Sequence, residues 1–105
     1  MIDIKINIRQ NIEIEARGHS LFDSKGKDIV CASVSVLLQS FVLSIKELTE
    51  SELTEEREEG YLRVNVKNHL GDTALLFNSL ILSLNVIANE YPHNVKLTIL
   101  KESED

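Results

Sequence analysis

The chain has 105 residues, of which 17 are acidic, 11 basic and 43% hydrophobic, with a formal net charge of −6; this is the balance of one globular domain over residues 1–105 and excludes a disordered or low-complexity chain. The acidic excess argues against direct binding to nucleic acid, and one cysteine excludes an internal disulfide and leaves a zinc cage short of ligands. Asp3 follows Met1 closely, with no cationic and then apolar run, so no signal peptide is read and a cytoplasmic protein without metal or cofactor is expected.

Ile2, Ile4, Ile6 and Ile8 alternate with Asp3, Lys5, Asn7 and Arg9, the period of two that sends one row to a core and the other to water. After Gln10 and Asn11 the alternation resumes as Ile12, Ile14 and Ala16 against Glu13, Glu15 and Arg17, which predicts a hairpin. Gly18 to Lys27 reads GHSLFDSKGK, with two of the four glycines and no apolar period. This predicts a mobile loop over 18–28. Asp28 is placed to cap a helix whose inner face is Val30, Val34, Leu37, Phe41, Ile45 and Leu48. Thr49 to Glu59 holds six glutamates and one arginine, most of the net charge, and reads as a solvated acidic loop over 49–59.

Leu62, Val64 and Val66 then alternate with Tyr61, Arg63 and Asn65 as a third strand. Gly71 and Asp72 open a second helix that runs to about Tyr91 and is ended by Pro92. Val95, Leu97 and Ile99 mark a last strand, and Lys101 to Asp105 is a charged tail. The expected architecture is α+β in the order ββαβαβ: two layers, with two helices on a mainly antiparallel four-stranded sheet.

Both predicted helices lack charge over 17 residues, Ile29 to Ile45 and Thr73 to Asn89. Serines and a glutamine interrupt the first stretch, and serines and asparagines the second, which argues against membrane spans. A helix with one face on a sheet normally carries Lys and Glu on the other. The outer faces are therefore expected to meet a second copy in a homodimer; the alternative is that Ser and Asn simply face water.

Cys31 lies three residues after Asp28, in the first turn of the first helix. First-turn amides have no intrahelical acceptor, and the helix dipole places about half a positive charge there, so a thiolate is favoured. Such sites bring a thiol from about 8.5 to roughly 3.5–7.5. Buried packing is the competing reading, since cysteine is among the most buried residue types. His19, in the loop twelve residues upstream, can take the thiol proton and return it to a leaving amine. His69 and His93 are competing candidates, and the spacing alone excludes neither.

Gly18-His19-Ser20 followed by Gly26-Lys27-Asp28-Ile29-Val30-Cys31-Ala32-Ser33-Val34-Ser35 resembles the signature of the ribosomal-processing cysteine protease family, Prp. The resemblance implies a bacterial endopeptidase that removes a short N-terminal extension from ribosomal protein twenty-seven of the large subunit, cutting after an aromatic residue. It implies a catalytic dyad of His19 and Cys31, a homodimer, and a loop that covers the substrate. On that reading, amides around Cys31 and Ala32 serve as oxyanion donors, Gly18 and Gly26 as hinges, and Leu21 and Phe22 contact the apolar substrate or pack the loop. Asp23 and Asp28 are both candidates to orient the imidazole, and since neither spacing decides between them the expectation is a dyad without a third member. Two other functions compete with this one: a noncatalytic peptide-binding dimeric module associated with ribosome assembly, and a thiol enzyme acting on small amides. The acidic segment Glu50 to Glu59 also admits a second role, repulsion from ribosomal RNA, beside that of a solvated loop.

Overall fold

Rows of isoleucine that alternate with charge form the centre of a sheet, as period-two patterning requires. In this computed structural model, which describes residues 1–18, 21, 29–68 and 70–102, the first strands are β1 (Ile2–Ile8) and β2 (Ile12–Arg17). They pair antiparallel with Ile4 opposite Ala16 and Ile6 opposite Ile14. The chain continues through α1 (Ile29–Leu48), β3 (Leu53–Glu58), β4 (Tyr61–Val66), α2 (Gly71–Glu90) and β5 (Val95–Lys101). The sheet order is β3-β4-β2-β1-β5. β5 runs parallel to β1, from Ile2 opposite Val95 to Ile8 opposite Lys101, and the other pairings are antiparallel.

Ile2, Ile4, Ile6, Ile12, Ile14, Leu62, Val64, Val66 and Val95 share one buried cluster with Val34, Leu38, Phe41, Ile45, Phe77, Leu80 and Leu84 of the helices. The helices thus form the second layer, α1 reaching β3 and α2 reaching β5. Phe41 and Phe77 join the two helices, their rings 6.2 Å apart and tilted by 59°, close to the edge-to-face arrangement that aromatic quadrupoles favour.

The acidic loop expected over 49–59 is corrected: Leu53–Glu58 is strand β3, so the sheet has five strands and the order is ββαββαβ. Its ladder with β4 runs from Leu53 opposite Val66 to Glu58 opposite Tyr61. Its helix-facing row is Leu53, Glu55 and Arg57, charged at two of three positions rather than apolar. Glu55 accepts from Lys46 Nζ at 2.9 Å, and Arg57 donates to Gln39 Oε1 at 3.3 Å. The side chains an inner strand would bury in the core here reach α1 by polar contacts.

Both helices are long and apolar enough to cross a bilayer by length and composition, yet each lays a buried stripe against the sheet. Their outward faces are unusual. Ile29, Val36 and Leu43 of α1, each seven residues on from the last, and Leu75, Leu82 and Val86 of α2 are all at least 60% exposed. Between the helices runs an open groove lined by Ser40, Ser44, Ser79 and Ser83 among Leu37, Phe41, Leu76 and Leu80.

Candidate active site

Cys31 is the third residue of α1 and keeps 7% of its surface. Val30 and Val34 beside it are buried, whereas Ala32 and Ser33 face outward. The Ser33 hydroxyl donates to the carbonyl of Ile29 at 2.7 Å, bracing this first turn. The turn contains no acidic residue. The positive end of the peptide dipoles therefore lies beside the sulfur.

The direction of α1 fixes which end of the sheet Cys31 occupies. Gln39 meets Arg57 while Lys46, further along the helix, meets Glu55, so α1 and β3 run in opposite directions. The N-terminus of α1 then lies toward Glu58 and the β3–β4 turn. β2 ends at the same place, with Arg17 opposite Tyr61.

At that end Gly18 donates to the Gly60 carbonyl at 3.0 Å, Gly60 donates to the Leu21 carbonyl at 2.8 Å, and Leu21 donates to the Gly18 carbonyl at 3.2 Å. Leu21 has none of its surface exposed and belongs to the cluster that contains Cys31 and Val30. Of the two readings open for Leu21, this placement fits loop packing. Gly18 packs closely too: a Cβ there would stand 2.9 Å from Cγ1 of Ile2 and 3.3 Å from Cδ1 of Leu21. Gly60 has φ of +78°, the left-handed region that glycine enters without penalty. Sequence reasoning passed over Gly60; the available signal was a glutamate-glycine pair set between two short runs of hairpin length.

The sequence readings for His19, Phe22, Asp23, Gly26, Asp28 and His69 lie outside the described residues. His93 is exposed in the turn before β5. The next residue, Asn94, accepts a hydrogen bond from Ile2 at 2.7 Å, so His93 is at the same end of the sheet as Gly18. Among the described residues, no group of three or more His, Cys, Asp or Glu side chains is placed to hold a metal.

Charges on the acidic strand are partly paired. The Lys46 ammonium beside Glu55 holds that carboxyl below the usual carboxylate range. At the opposite end of the sheet, Lys67 does the same for Glu52, and Glu52 raises Lys67 in return. Both effects come first from the hydrogen bond and then from the opposite charge.

Comparison with known proteins gives a consistent result. The profile of the family described as cysteine protease Prp matches residues 1–96. The ribosomal processing cysteine protease Prp of Mycoplasma genitalium is 37% identical over 92 residues, covering 88% of this chain and 91% of its own. The crystal structure of an essential ribosomal processing protease Prp from S. aureus, in complex with a covalently linked product peptide, superposes with a TM-score of 0.82 at 26% identity. The match covers 94% of this chain and 99% of that one. The same S. aureus protease in complex with a substrate peptide superposes at 0.76 with 25% identity and the same coverage.

Proposed function

The chain belongs to the cysteine protease Prp family, and from that premise we propose that it is the endopeptidase that removes the N-terminal extension of ribosomal protein twenty-seven of the large subunit during ribosome maturation. Cys31 is the nucleophile and His19 the general base and acid. The observation that carries the assignment is the seat of Cys31, in the first turn of a core helix at the end of the sheet where Gly18 and Leu21 are hydrogen-bonded to Gly60. The S. aureus relative, which holds a product peptide covalently, supports covalent chemistry here.

His19 takes the thiol proton, the sulfur forms a bond to the scissile carbonyl carbon, and the negative charge moves to the carbonyl oxygen. Amide groups around Cys31 and Ala32 donate hydrogen bonds to that oxygen. The C–N bond then breaks as His19 passes its proton to the departing amine, which leaves a thioester. Water, giving a proton to His19, attacks the thioester and releases the excised extension as a carboxylic acid, and His19 returns its proton to the departing thiolate. Phe22 lies against the apolar side chains of the substrate, with Leu21 anchoring the segment from the core side. On this reading Gly26 is the hinge of the loop and Asp28 the cap of α1, while Gly18, read from the sequence as a second hinge, is bonded to Gly60 and packed on Ile2 and serves as the fixed root of the loop.

The active unit is a homodimer. The exposed apolar rows of α1 and α2, with the serine-lined groove between them, present an uncharged face that suits a second copy of itself. The protein works in the cytoplasm on a protein substrate, apart from nucleic acid and membrane.

The test is digestion of a peptide that spans the extension junction, with mass readout of the new N-terminus, by wild type, Cys31→Ala, His19→Ala and His93→Ala. Cleavage by wild type and His93→Ala, and none by Cys31→Ala or His19→Ala, is expected. Full cleavage by Cys31→Ala would remove the assignment, and loss with His93→Ala alone would move the base to that residue.

A further inference from the structure

Resting on the Cys31–His19 dyad, we propose that Gly60 is a positioning residue for catalysis: the β3–β4 turn holds both flanks of His19 through the backbone of this one glycine. The β2–β4 ladder carries the argument. Beyond Arg17 and Tyr61, a regular antiparallel ladder would continue with Gly18 and Gly60 exchanging two hydrogen bonds. Only one of these forms, from Gly18 to the Gly60 carbonyl at 3.0 Å. The Gly60 amide turns instead to the Leu21 carbonyl at 2.8 Å, and the Gly18 carbonyl left over accepts from Leu21 at 3.2 Å. The three residues close a ring of hydrogen bonds in which each donates to the next.

Only His19 and Ser20 join Gly18 to Leu21. The two described residues that bracket His19 in the chain are therefore both bonded to the β3–β4 turn. The anchors are themselves fixed: Leu21 is fully buried, and Gly18 is packed so closely on Ile2 that a Cβ would lie 2.9 Å from Cγ1. Gly60 is the third member, and only glycine fits there for two separate reasons. Its φ is +78°, and a Cβ on it would stand 2.9 Å from the carbonyl oxygen of Gly18, a backbone atom that cannot swing aside. A side chain at position 60 must push Gly18 away from the turn, and His19 with it.

Gly60→Ala and Gly60→Asn test this in the full chain. Asparagine enters the left-handed region more readily than other non-glycine residues but still puts its Cβ on the Gly18 oxygen, so it separates displacement from backbone strain. Three quantities are read: kcat and KM on the junction peptide, the pH profile of Cys31 alkylation by iodoacetamide, and Tm. In both variants kcat falls about 10- to 100-fold while KM stays within about threefold, and the alkylation profile moves toward that of His19→Ala. Val66→Ala, in the core at the opposite end of the hairpin, lowers Tm and moves neither the profile nor kcat. Folded Gly60 variants with wild-type kcat and profile, or with losses that merely follow Tm as Val66→Ala does, would overturn the proposal. An inactive His19→Ala beside a wild-type-like Gly60→Asn sinks this inference alone, whereas a fully active His19→Ala sinks the dyad and this inference together. Amide exchange on the wild-type chain tests the ring without any variant: Leu21 and Gly60 are protected like ladder amides, and exchange at the rate of open loop amides would refute it.

Discussion

Replacing Leu82 by serine tests the homodimer on a residue far from the chemistry. Leu82 keeps 69% of its surface exposed. Full burial of a leucine side chain contributes about 1.5–3 kcal/mol, so about 1–2 kcal/mol remains unrealised in the single chain. A two-fold interface uses each residue twice, which makes the loss from Leu82→Ser about 2–4 kcal/mol per dimer. At about 1.4 kcal/mol per decade, Kd rises about 30- to 700-fold. Removing an exposed side chain leaves the fold of the single chain nearly unchanged, within about 0.5 kcal/mol. Sedimentation velocity across a wide concentration range reads the mass, and Tm of the wild type rises with concentration because dimerisation is linked to folding. Leu82→Ser loses that dependence first, and Leu43→Ser on α1 adds to the effect. Wild type that sediments as a single chain at every concentration, or a Leu82→Ser chain with unchanged Kd, would refute the assignment of this face.

Three further perturbations act on the packing around the site and on the edge strand. Leu21→Ala removes a fully buried side chain and costs about 2–5 kcal/mol, read as a fall in the urea midpoint; unchanged stability with a selective rise in KM would place Leu21 against substrate instead. Thr73→Val breaks the 2.6 Å contact between its hydroxyl, on a residue 2% exposed, and that of Ser51, and lowers stability by about 1 kcal/mol; no change in midpoint would count against that contact. Lys46→Met removes the pair that joins α1 to β3, whose side chains are 46% and 25% exposed, so screening keeps the loss below about 1 kcal/mol. Because Lys46 lowers the folded-state pKa of Glu55 from 4.5, the stabilisation is complete above that unfolded value and disappears as pH falls through the folded one. The gap between wild type and Lys46→Met is thus present at pH 7 and closes only in acid; a gap that persists once Glu55 is protonated would assign it to the lysine stem instead.

The contrast between β3 and its neighbours explains how much the sequence could reveal. The isoleucine rows of β1 and β2 and the valines of β4 declare their period because burial on one face is what places them in the sheet. Both helices were legible for the same reason. In β3 only Leu53 is apolar, and the strand is held by its ladder to β4 and by Glu55 and Arg57 reaching Lys46 and Gln39. Hydrophobic patterning is blind to a strand secured in that way, and six glutamates in eleven residues read more naturally as loop. An edge strand, moreover, gains from charge, which keeps its open side from pairing with other chains.

The same distinction applies at the candidate site. Cys31 could be placed in a first helical turn from Asp28, read as the cap, together with the side-chain periodicity in which Val30 and Val34 mark the inner face. The ring of Gly18, Leu21 and Gly60 could not, because it is made of backbone groups from segments about forty residues apart, two of them on glycines with no side chain to leave a pattern. What does leave a trace is the requirement for glycine itself. Gly60 sits after Glu59 where a hairpin turn needs positive φ, and the displaced hydrogen bond explains why the site needs glycine for close approach as well as for φ. Reagents that reach Cys31 therefore report on the β3–β4 turn, and substitutions in the acidic hairpin are expected to separate by mechanism. Those at Glu56 or Glu58 change surface charge and leave the alkylation profile of Cys31 in place, whereas those at Gly60 move it.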